Sequence, residues 1–315
     1  MESRGPELVD RYRENYGILE GAGVTETMIL RHWDLERKLT QELLESSPEK
    51  RREVFERCYT LLYREISWLN RLMDGSDRRT DRERFADWLD VIGDEPLSIY
   101  EIGSGRGELI TLLASRGHDC VATEITVERG ERDTSDDATL VWHETDGVKL
   151  TEFEKPDSYD LVLSNQLIEH LHPDDLDLHL KEVHTILKPG GRYVLNTPHR
   201  YTGPHDLSRV FGHRTASGMH LREYTYRELF RALTRQGFVA IRHAGQKRRL
   251  QGVLRSRDGA GFTFRIAQSA LTGLLLLSEG MLACLPYGLR VSGARISHAA
   301  GVFSDNLFLE AWKRQ

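Results

Sequence analysis

The sequence predicts an α/β fold built on a seven-stranded, mostly parallel sheet, with helical segments before the sheet and before its last strand. After residue 93, short apolar runs alternate with helix-length amphipathic segments, which is the pattern of parallel strands joined by helices. Residues 24–73 instead carry apolar side chains at three- and four-residue spacing, which is the period of a helix. These two patterns separate a helical N-terminal part from a sheet-containing core.

The predicted strands define the boundaries of four parts. The strands are predicted at residues 97–102, 119–124, 139–143, 159–164, 191–196, 238–243 and 304–311. About sixty residues separate the last two strands, far more than a hairpin needs, so they form an insertion. The chain is therefore divided into a helical N-terminal cap (1–92), a core (93–247), an apolar helical insertion (248–302) and the final strand of the core (303–315).

Composition narrows the class of partner and the compartment. The 315 residues carry a net charge of −6, which argues against a nucleic-acid-binding surface and favours a small-molecule partner. The three cysteines, Cys58, Cys120 and Cys284, lack the paired spacing of a disulfide framework or a zinc site. The charged N-terminus has no apolar signal segment. We expect a cytoplasmic protein.

The segment IYEIGSGRGEL (residues 99–109) ends the first strand and begins a helix. A dinucleotide-binding turn requires G-x-G-x-x-G, but Glu108 stands where the third glycine would be. The acid-x-Gly-x-Gly-x-Gly pattern that starts at Glu101 resembles the first motif of class I S-adenosylmethionine (SAM)-dependent methyltransferases. The resemblance implies a Rossmann-like core with SAM at this turn, where glycines let the backbone approach the ligand.

Three later features follow in the order that the same family shows. Glu124 ends the second strand, where a carboxylate can bind both ribose hydroxyls. Asp146-Gly147 follows the third strand, at the position whose acid receives the adenine amino group, and LKPGG precedes the fifth. Over about residues 95–245 the pattern is closest to the ubiquinone-biosynthesis O-methyltransferases. The resemblance implies as SAM-binding residues Glu101, Gly103, Ser104, Gly105, Gly107, Glu124, Ile125, Asp146, Gly147, Ser164 and Asn165.

Candidates for a catalytic base are histidines that follow the fourth and fifth strands. His170 is the first candidate, because ligands of such folds bind at the carboxyl edge of the sheet. The alternative is that Glu169-His170 starts a helix or packs. His199 and His205 lie in a long polar loop suited to a hydroxylated small-molecule or sugar acceptor, or simply solvated. We expect O-methylation; methylation of nitrogen, carbon or RNA, and a silent SAM-binding subunit, are the alternatives.

The segment QLIEH (residues 166–170) also indicates whether the protein binds a metal. The ubiquinone-pathway enzymes and the small-RNA 2′-O-methyltransferases carry Glu-x-x-Glu-His here and bind a metal with it. This chain has an amide, Gln166, as the first of these residues, followed by Glu169 and His170. A neutral amide oxygen binds a divalent cation more weakly than a carboxylate does. A divalent metal is possible but not favoured, and no metal ligand is predicted.

The insertion contains the most apolar stretch of the chain, FTFRIAQSALTGLLLLSEGMLACLPYGL. Polar residues interrupt it, so a membrane span is not expected. Three interpretations remain: a lid that packs with the N-terminal helices over the acceptor, a homodimer interface, or a peripheral contact with a membrane or a lipid-linked acceptor. The basic segment RHAGQKRRLQGVLRSRDG before it fits lipid phosphates or a solvated strand end equally well.

Overall fold

The computed structural model describes residues 5–73, 79–126, 140–244, 262–299 and 303–315. Within these residues the chain forms one seven-stranded sheet, which confirms the predicted fold class. The strands are β1 Ser98–Ile102, β2 Asp119–Glu124, β3 Leu140–Glu144, β4 Tyr159–Asn165, β5 Leu187–Pro198, β6 Val239–His243 and β7 Asn306–Trp312. The helices are α1 Pro6–Tyr16, α2 Glu26–Leu44, α3 Arg51–Glu65, α4 Ser67–Met73, α5 Asp81–Arg84, α6 Ala86–Ile92, α7 Glu108–Ala114, α8 Leu176–Ile186, α9 Tyr226–Arg235, α10 Phe262–Ala283 and α11 Tyr287–Ala299.

The order of the strands fixes where a ligand can bind. It is β3-β2-β1-β4-β5-β7-β6, with β1 to β5 parallel and β7 antiparallel to both of its neighbours. The order runs outward from β1 through β2 to β3 on one side, and from β4 through β5 and β7 to β6 on the other. In such open sheets, ligands bind outside the carboxyl ends of the strands at the point where the order reverses. That point lies between β1 and β4.

Strand β5 is longer than the predicted 191–196 because the LKPGG segment belongs to it. Leu187 pairs with Tyr159, and after a shift in register Arg192 pairs with Leu161. Gly190 has a φ of 79°, which a glycine adopts at no steric cost. The proline and glycines that indicated a turn therefore form a bulge inside the strand.

Two apolar layers cover the sheet. The larger joins the sheet to α8, α9 and part of α10 through residues such as Leu180, Val183 and Leu229. The other joins it to α6 and α7 through residues such as Trp88 and Leu113. Burial of both faces is what the parallel strands β1 to β5 require.

Helices α1 to α4 pack against the loop that follows β5, whereas α6 packs on a face of the sheet. Trp33 of α2 stacks on Phe211 of this loop, with ring centroids 4.7 Å apart. Leu39, Leu43 and Met219 share a second apolar cluster with α3. The helical segment thus lies over the carboxyl ends of the strands.

The described part of the insertion is the helical hairpin of α10 and α11. Helix α10 packs on α9 and β6 at the far edge of the sheet. The basic segment before it lies outside the described residues from position 245 onward. No helix in the described part of the chain is both long and apolar enough to cross a bilayer.

Candidate active site

A cavity of about 510 Å³ opens at the carboxyl ends of β1 to β4. One wall is the glycine-rich turn with the residues that end the strands, and the opposite wall comes from the N-terminal helices. The predicted SAM-binding residues that line it are Glu101, Gly103, Ser104, Gly105, Glu124, Ile125, Asp146, Gly147 and Asn165. No described residue of α10 or α11 lines this cavity, so the described part of the hairpin does not cover it.

The turn between β1 and α7 is shaped by its glycines. Gly103, Gly105 and Gly107 all have positive φ values, between 58° and 76°, where a side chain would be strained. A Cβ on Gly103 would lie 2.8 Å from the Leu167 side chain, whereas a Cβ on Gly105 would enter open space beside the cavity. Gly107 caps the start of α7 and does not line the cavity. The turn therefore leaves room for a ligand directly on its backbone.

Glu101 lies at the end of β1 with its side chain almost completely buried. Its Oε2 atom has no hydrogen-bond partner among the described residues. Burial raises the pKa of this carboxyl to about 8. A buried acid with one oxygen left without a partner is suited to a cationic group, because the ligand's charge would stabilise the ionised form.

Glu124 holds the glycine-rich turn against the end of β2. Its Oε2 accepts a hydrogen bond from the Gly105 amide at 2.9 Å, and its Oε1 accepts one from the Ile125 amide at 3.0 Å. Each carboxylate oxygen has a second lone pair, so the group can still accept hydrogen bonds from a ligand in the cavity. The residue expected to bind ribose thus also shapes the turn.

Asp146 and Gly147 form the turn after β3. The Oδ1 atom of Asp146 accepts hydrogen bonds from the Val148 and Lys149 amides. A Cβ on Gly147, whose φ is 70°, would come within 3.0 Å of Ile102. This packing brings the aspartate to the cavity and fixes its orientation through one oxygen.

Ser164 and Asn165 fall on opposite sides of β4, because adjacent residues of a strand alternate. Asn165 lines the cavity. Ser164 is buried in the sheet, where its hydroxyl lies 2.6 Å from the Tyr193 hydroxyl. His179 bonds the same hydroxyl and the Gly147 carbonyl, so Ser164 reaches the site only through a chain of hydrogen bonds.

Of the three predicted bases, His170 lines the cavity. Its Nδ1 lies 3.0 Å from the Met219 carbonyl oxygen, which can only accept a hydrogen bond. Nδ1 therefore carries the hydrogen, and in a neutral ring Nε2 is the basic nitrogen. Buried Glu169 lies beside it, with Oε1 at 4.0 Å from Nε2.

His199 and His205 do not line the cavity. His199 is fully buried, with Nε2 3.0 Å from Oε1 of Glu279. The Nε2 atom of His205 lies near the Thr202 hydroxyl and the His199 carbonyl. His199 therefore faces α10, which supplies a buried carboxylate as its partner. His205 instead bonds within its own loop.

Glu169, His170 and His220 offer one ligand atom each within 4.8 Å of one another. Burial raises the pKa of Glu169 to about 7. Burial alone would lower the pKa of His220, but its hydrogen bond to Glu223 and the nearby acids raise that pKa to about 8. A protonated imidazole cannot ligate a metal. The group could hold an ion only after His220 loses its proton.

The wall supplied by the N-terminal helices was not predicted residue by residue. His32 and Glu36 of α2 line the cavity, with Nε2 of His32 at 2.9 Å from Oε1 of Glu36. The Tyr12 hydroxyl bonds the other imidazole nitrogen. The sequence offered one indication of this wall: a histidine and a glutamate four residues apart on the apolar face of an amphipathic helix. The aromatic residues of this wall are Tyr16, Phe55, Tyr59, Tyr63 and Phe85.

The cavity is predominantly acidic. Among the described residues, its lining contains one arginine, Arg106, and five acidic residues: Glu36, Glu101, Glu108, Glu124 and Asp146. Such a site favours a ligand with net positive charge.

A protein-family model and several solved structures are similar to this chain. A family model described as a methyltransferase domain matches residues 77–243. No curated protein matches the chain. Similar solved structures include phosphoethanolamine N-methyltransferase 2 of Haemonchus contortus in complex with SAM, at 20% identity over 74% of this chain and 53% of that one (TM-score 0.48). A SAM-dependent methyltransferase from Archaeoglobus fulgidus is 14% identical over 81% of this chain and 99% of that one (TM-score 0.48).

A third similar structure is the 1,6-didemethyltoxoflavin-N1-methyltransferase of Burkholderia thailandensis, at 21% identity over 62% of this chain and 80% of that one (TM-score 0.46). The matched domain spans the glycine-rich turn, every cavity-lining strand end and β6. The chain belongs to the methyltransferase domain family and is a class I SAM-dependent methyltransferase.

Proposed function

We propose that this enzyme methylates a hydroxyl group of a small molecule or of a sugar-containing acceptor, with His170 as the general base. When bound, SAM supplies the methyl group on a positively charged sulfur. The observation that carries the proposal is the position of His170, which lines the cavity with Nδ1 bonded to a carbonyl. The N-terminal helices form the acceptor side of the site.

The cofactor side of the cavity fits SAM by three independent features. The backbone at Gly105 leaves open space, and the buried Glu101 carboxyl lacks a partner for one oxygen. Glu124 and Asp146 each present a carboxylate already fixed by backbone amides. In the proposal Glu101 faces the positive charge of the ligand, Glu124 binds its ribose and Asp146 binds its adenine.

The protein contributes to methyl transfer mainly by alignment and by removal of the acceptor proton. Holding two reactants in line can supply about 7–11 kcal/mol of the barrier. A general base adds about 10²–10⁴ in rate when the acceptor is a hydroxyl. Nε2 of His170 would take this proton, while the Met219 carbonyl keeps the ring in the tautomer that can accept it.

Methylation of an amine is the second candidate, and one observation favours it. Glu36 lines the cavity among tyrosine rings, and its Oε2 has no hydrogen-bond partner in the described residues. A carboxylate surrounded by aromatic rings is a suitable site for an ammonium group. His170 could serve as the base in this reaction too, so the two candidates differ in the acceptor atom.

An acceptor screen with isotopically labelled methyl donor tests the proposal and separates the candidates. We expect label on the oxygen of a hydroxylated compound, and a fall in kcat of about 10²–10⁴ in His170→Ala. His298→Ala, at an exposed histidine of α11, is the matched control and should retain full activity. Label on a nitrogen atom would show that the enzyme is an N-methyltransferase, the second candidate. An unchanged kcat in His170→Ala would show that His170 is not the general base.

A cytoplasmic location is part of the proposal. Cys58, Cys120 and Cys284 form no disulfide within the described part of the chain, as expected in a reducing compartment.

A further inference from the structure

Exposed apolar side chains are concentrated on the hairpin of α10 and α11. Of fourteen exposed large hydrophobic residues in the described chain, eight lie on this hairpin. We call them the hairpin surface; they are Ile266, Leu274, Leu277, Met281, Leu285, Tyr287, Leu289 and Ile296. Leu277, Leu289 and Ile296 are each more than 60% exposed. Scattered exposed hydrophobic side chains are ordinary, but a concentration of them on one element indicates an interaction site.

Helix α10 differs from an ordinary surface helix, because several polar side chains point inward alongside its buried leucines. Gln268, Thr272 and Glu279 are buried. Gln268 donates to the His243 carbonyl, and the Thr272 hydroxyl accepts from the His243 amide. Glu279 accepts hydrogen bonds from the Tyr226 and Arg227 amides, which begin α9.

The opposite side of α10 is apolar. Leu274, Leu277 and Met281 recur at three- and four-residue spacing, so they share one stripe of the helix. A surface helix in water normally shows the reverse arrangement. The inward polar contacts keep this stripe on the outer side of the helix. This orientation indicates that the stripe binds an apolar partner.

The charges on the hairpin indicate which kind of apolar partner fits it, a second copy of the chain or a membrane. Among residues 266–298, the one carboxylate is Glu279, which is buried. The permanent positive charges in the same range are Arg290 and Arg295, and Arg295 is exposed. Pairing this surface with a second copy of itself would bring like charges together without a carboxylate to balance them. The headgroups of anionic lipids supply the missing negative charge.

We propose that the hairpin surface binds the face of a membrane that contains anionic lipids, with α10 and α11 lying in the plane of the interface. Apolar side chains enter the boundary between headgroups and acyl chains, and Arg295 contacts the phosphates. Tyr287, which packs under the Arg214 guanidinium, sits at the depth where aromatic rings are favoured. The described hairpin does not line the active-site cavity, so membrane binding leaves that cavity intact.

Vesicle co-sedimentation of the full chain tests the proposal. The probes are phosphatidylcholine vesicles with and without phosphatidylglycerol. We expect binding to the anionic vesicles, weakened about tenfold or more in Leu277→Gln/Leu289→Gln, because two leucines no longer enter the lipid. Leu19→Gln/Leu44→Gln alters exposed leucines outside the hairpin and is the matched control. It should bind as the unaltered protein does.

A second variant tests the electrostatic part of the proposal. Arg295→Gln should weaken binding to anionic vesicles while leaving the small affinity for phosphatidylcholine unchanged. SAM affinity, measured for every variant, confirms that the fold is retained. Absence of vesicle binding, or equal binding by both leucine variants, overturns the proposal. A dimer that dissociates in Leu277→Gln/Leu289→Gln, with no vesicle binding, would assign the hairpin surface to self-association instead.

Discussion

Two glutamates at the ends of adjacent strands show how neighbouring residues of one type acquire different roles. Glu101 is buried without a partner for one oxygen, and burial raises its pKa to about 8. Glu124 is bonded through both oxygens to backbone amides. The sequence pattern identified both acids, because each ends a predicted strand. The backbone contacts of Glu124 were not predictable, since they depend on how β1 and β2 are paired.

Replacing Glu124 tests its assigned role. Glu124→Ala should weaken SAM binding by about 1–3 kcal/mol, because charge-assisted hydrogen bonds to the ligand and to the Gly105 amide are lost. Isothermal titration calorimetry measures this directly. Glu144→Ala removes the exposed register partner of Glu124 on β3 and serves as the control. Equal SAM affinities in the two variants would show that Glu124 does not bind the cofactor.

Chelation tests the metal interpretation at the same scale. Methyl transfer should persist in EDTA at neutral pH, because Gln166 offers an amide and His220, with a pKa of about 8, holds a proton. The measurement is turnover of labelled SAM with and without the chelator. If turnover stops and a divalent ion restores it, Glu169, His170 and His220 bind a catalytic metal.

At the scale of elements, regular strands were predictable and irregular ones were not. The alternation of strands and helices gave β2 with its observed bounds, since each buried parallel strand is a short apolar run. The start of β5 was missed, because the bulge around Gly190 uses residues that are typical of turns. Helix α10 was recognised as apolar, but which of its sides faces inward depends on partners from β6 and α9.

The partners of α10 give a stability prediction. Glu279→Ala should lower the free energy of unfolding by about 1–3 kcal/mol, because the Tyr226 and Arg227 amides and the His199 ring lose a buried acceptor. Urea unfolding monitored by circular dichroism measures the change. Ser278→Ala, at the adjacent residue whose hydroxyl bonds only within its own helix, should have little effect. A similar small loss in both variants would show that Glu279 does not anchor the hairpin.

At the scale of the whole molecule, the helical N-terminal part and the sheet meet at one cavity. The glycine-rich turn and the strand ends could be predicted from the sequence, because a family motif fixes their order. The opposite wall could not, since Tyr59 and Glu36 acquire their positions only when α2 and α3 pack on the loop after β5. The described hairpin of α10 and α11 does not line this cavity, so the proposed site of methyl transfer and the apolar hairpin surface lie apart.

Hydrogen–deuterium exchange with and without S-adenosylhomocysteine tests most directly whether this cavity is the cofactor site. We predict slower exchange in residues 101–107, 124–126 and 145–149, with protection extending to α3 across the cavity. Exchange in α10 and α11 should not change, because these helices lie elsewhere. Protection confined to other parts of the chain, with no change in the glycine-rich turn, would contradict the account.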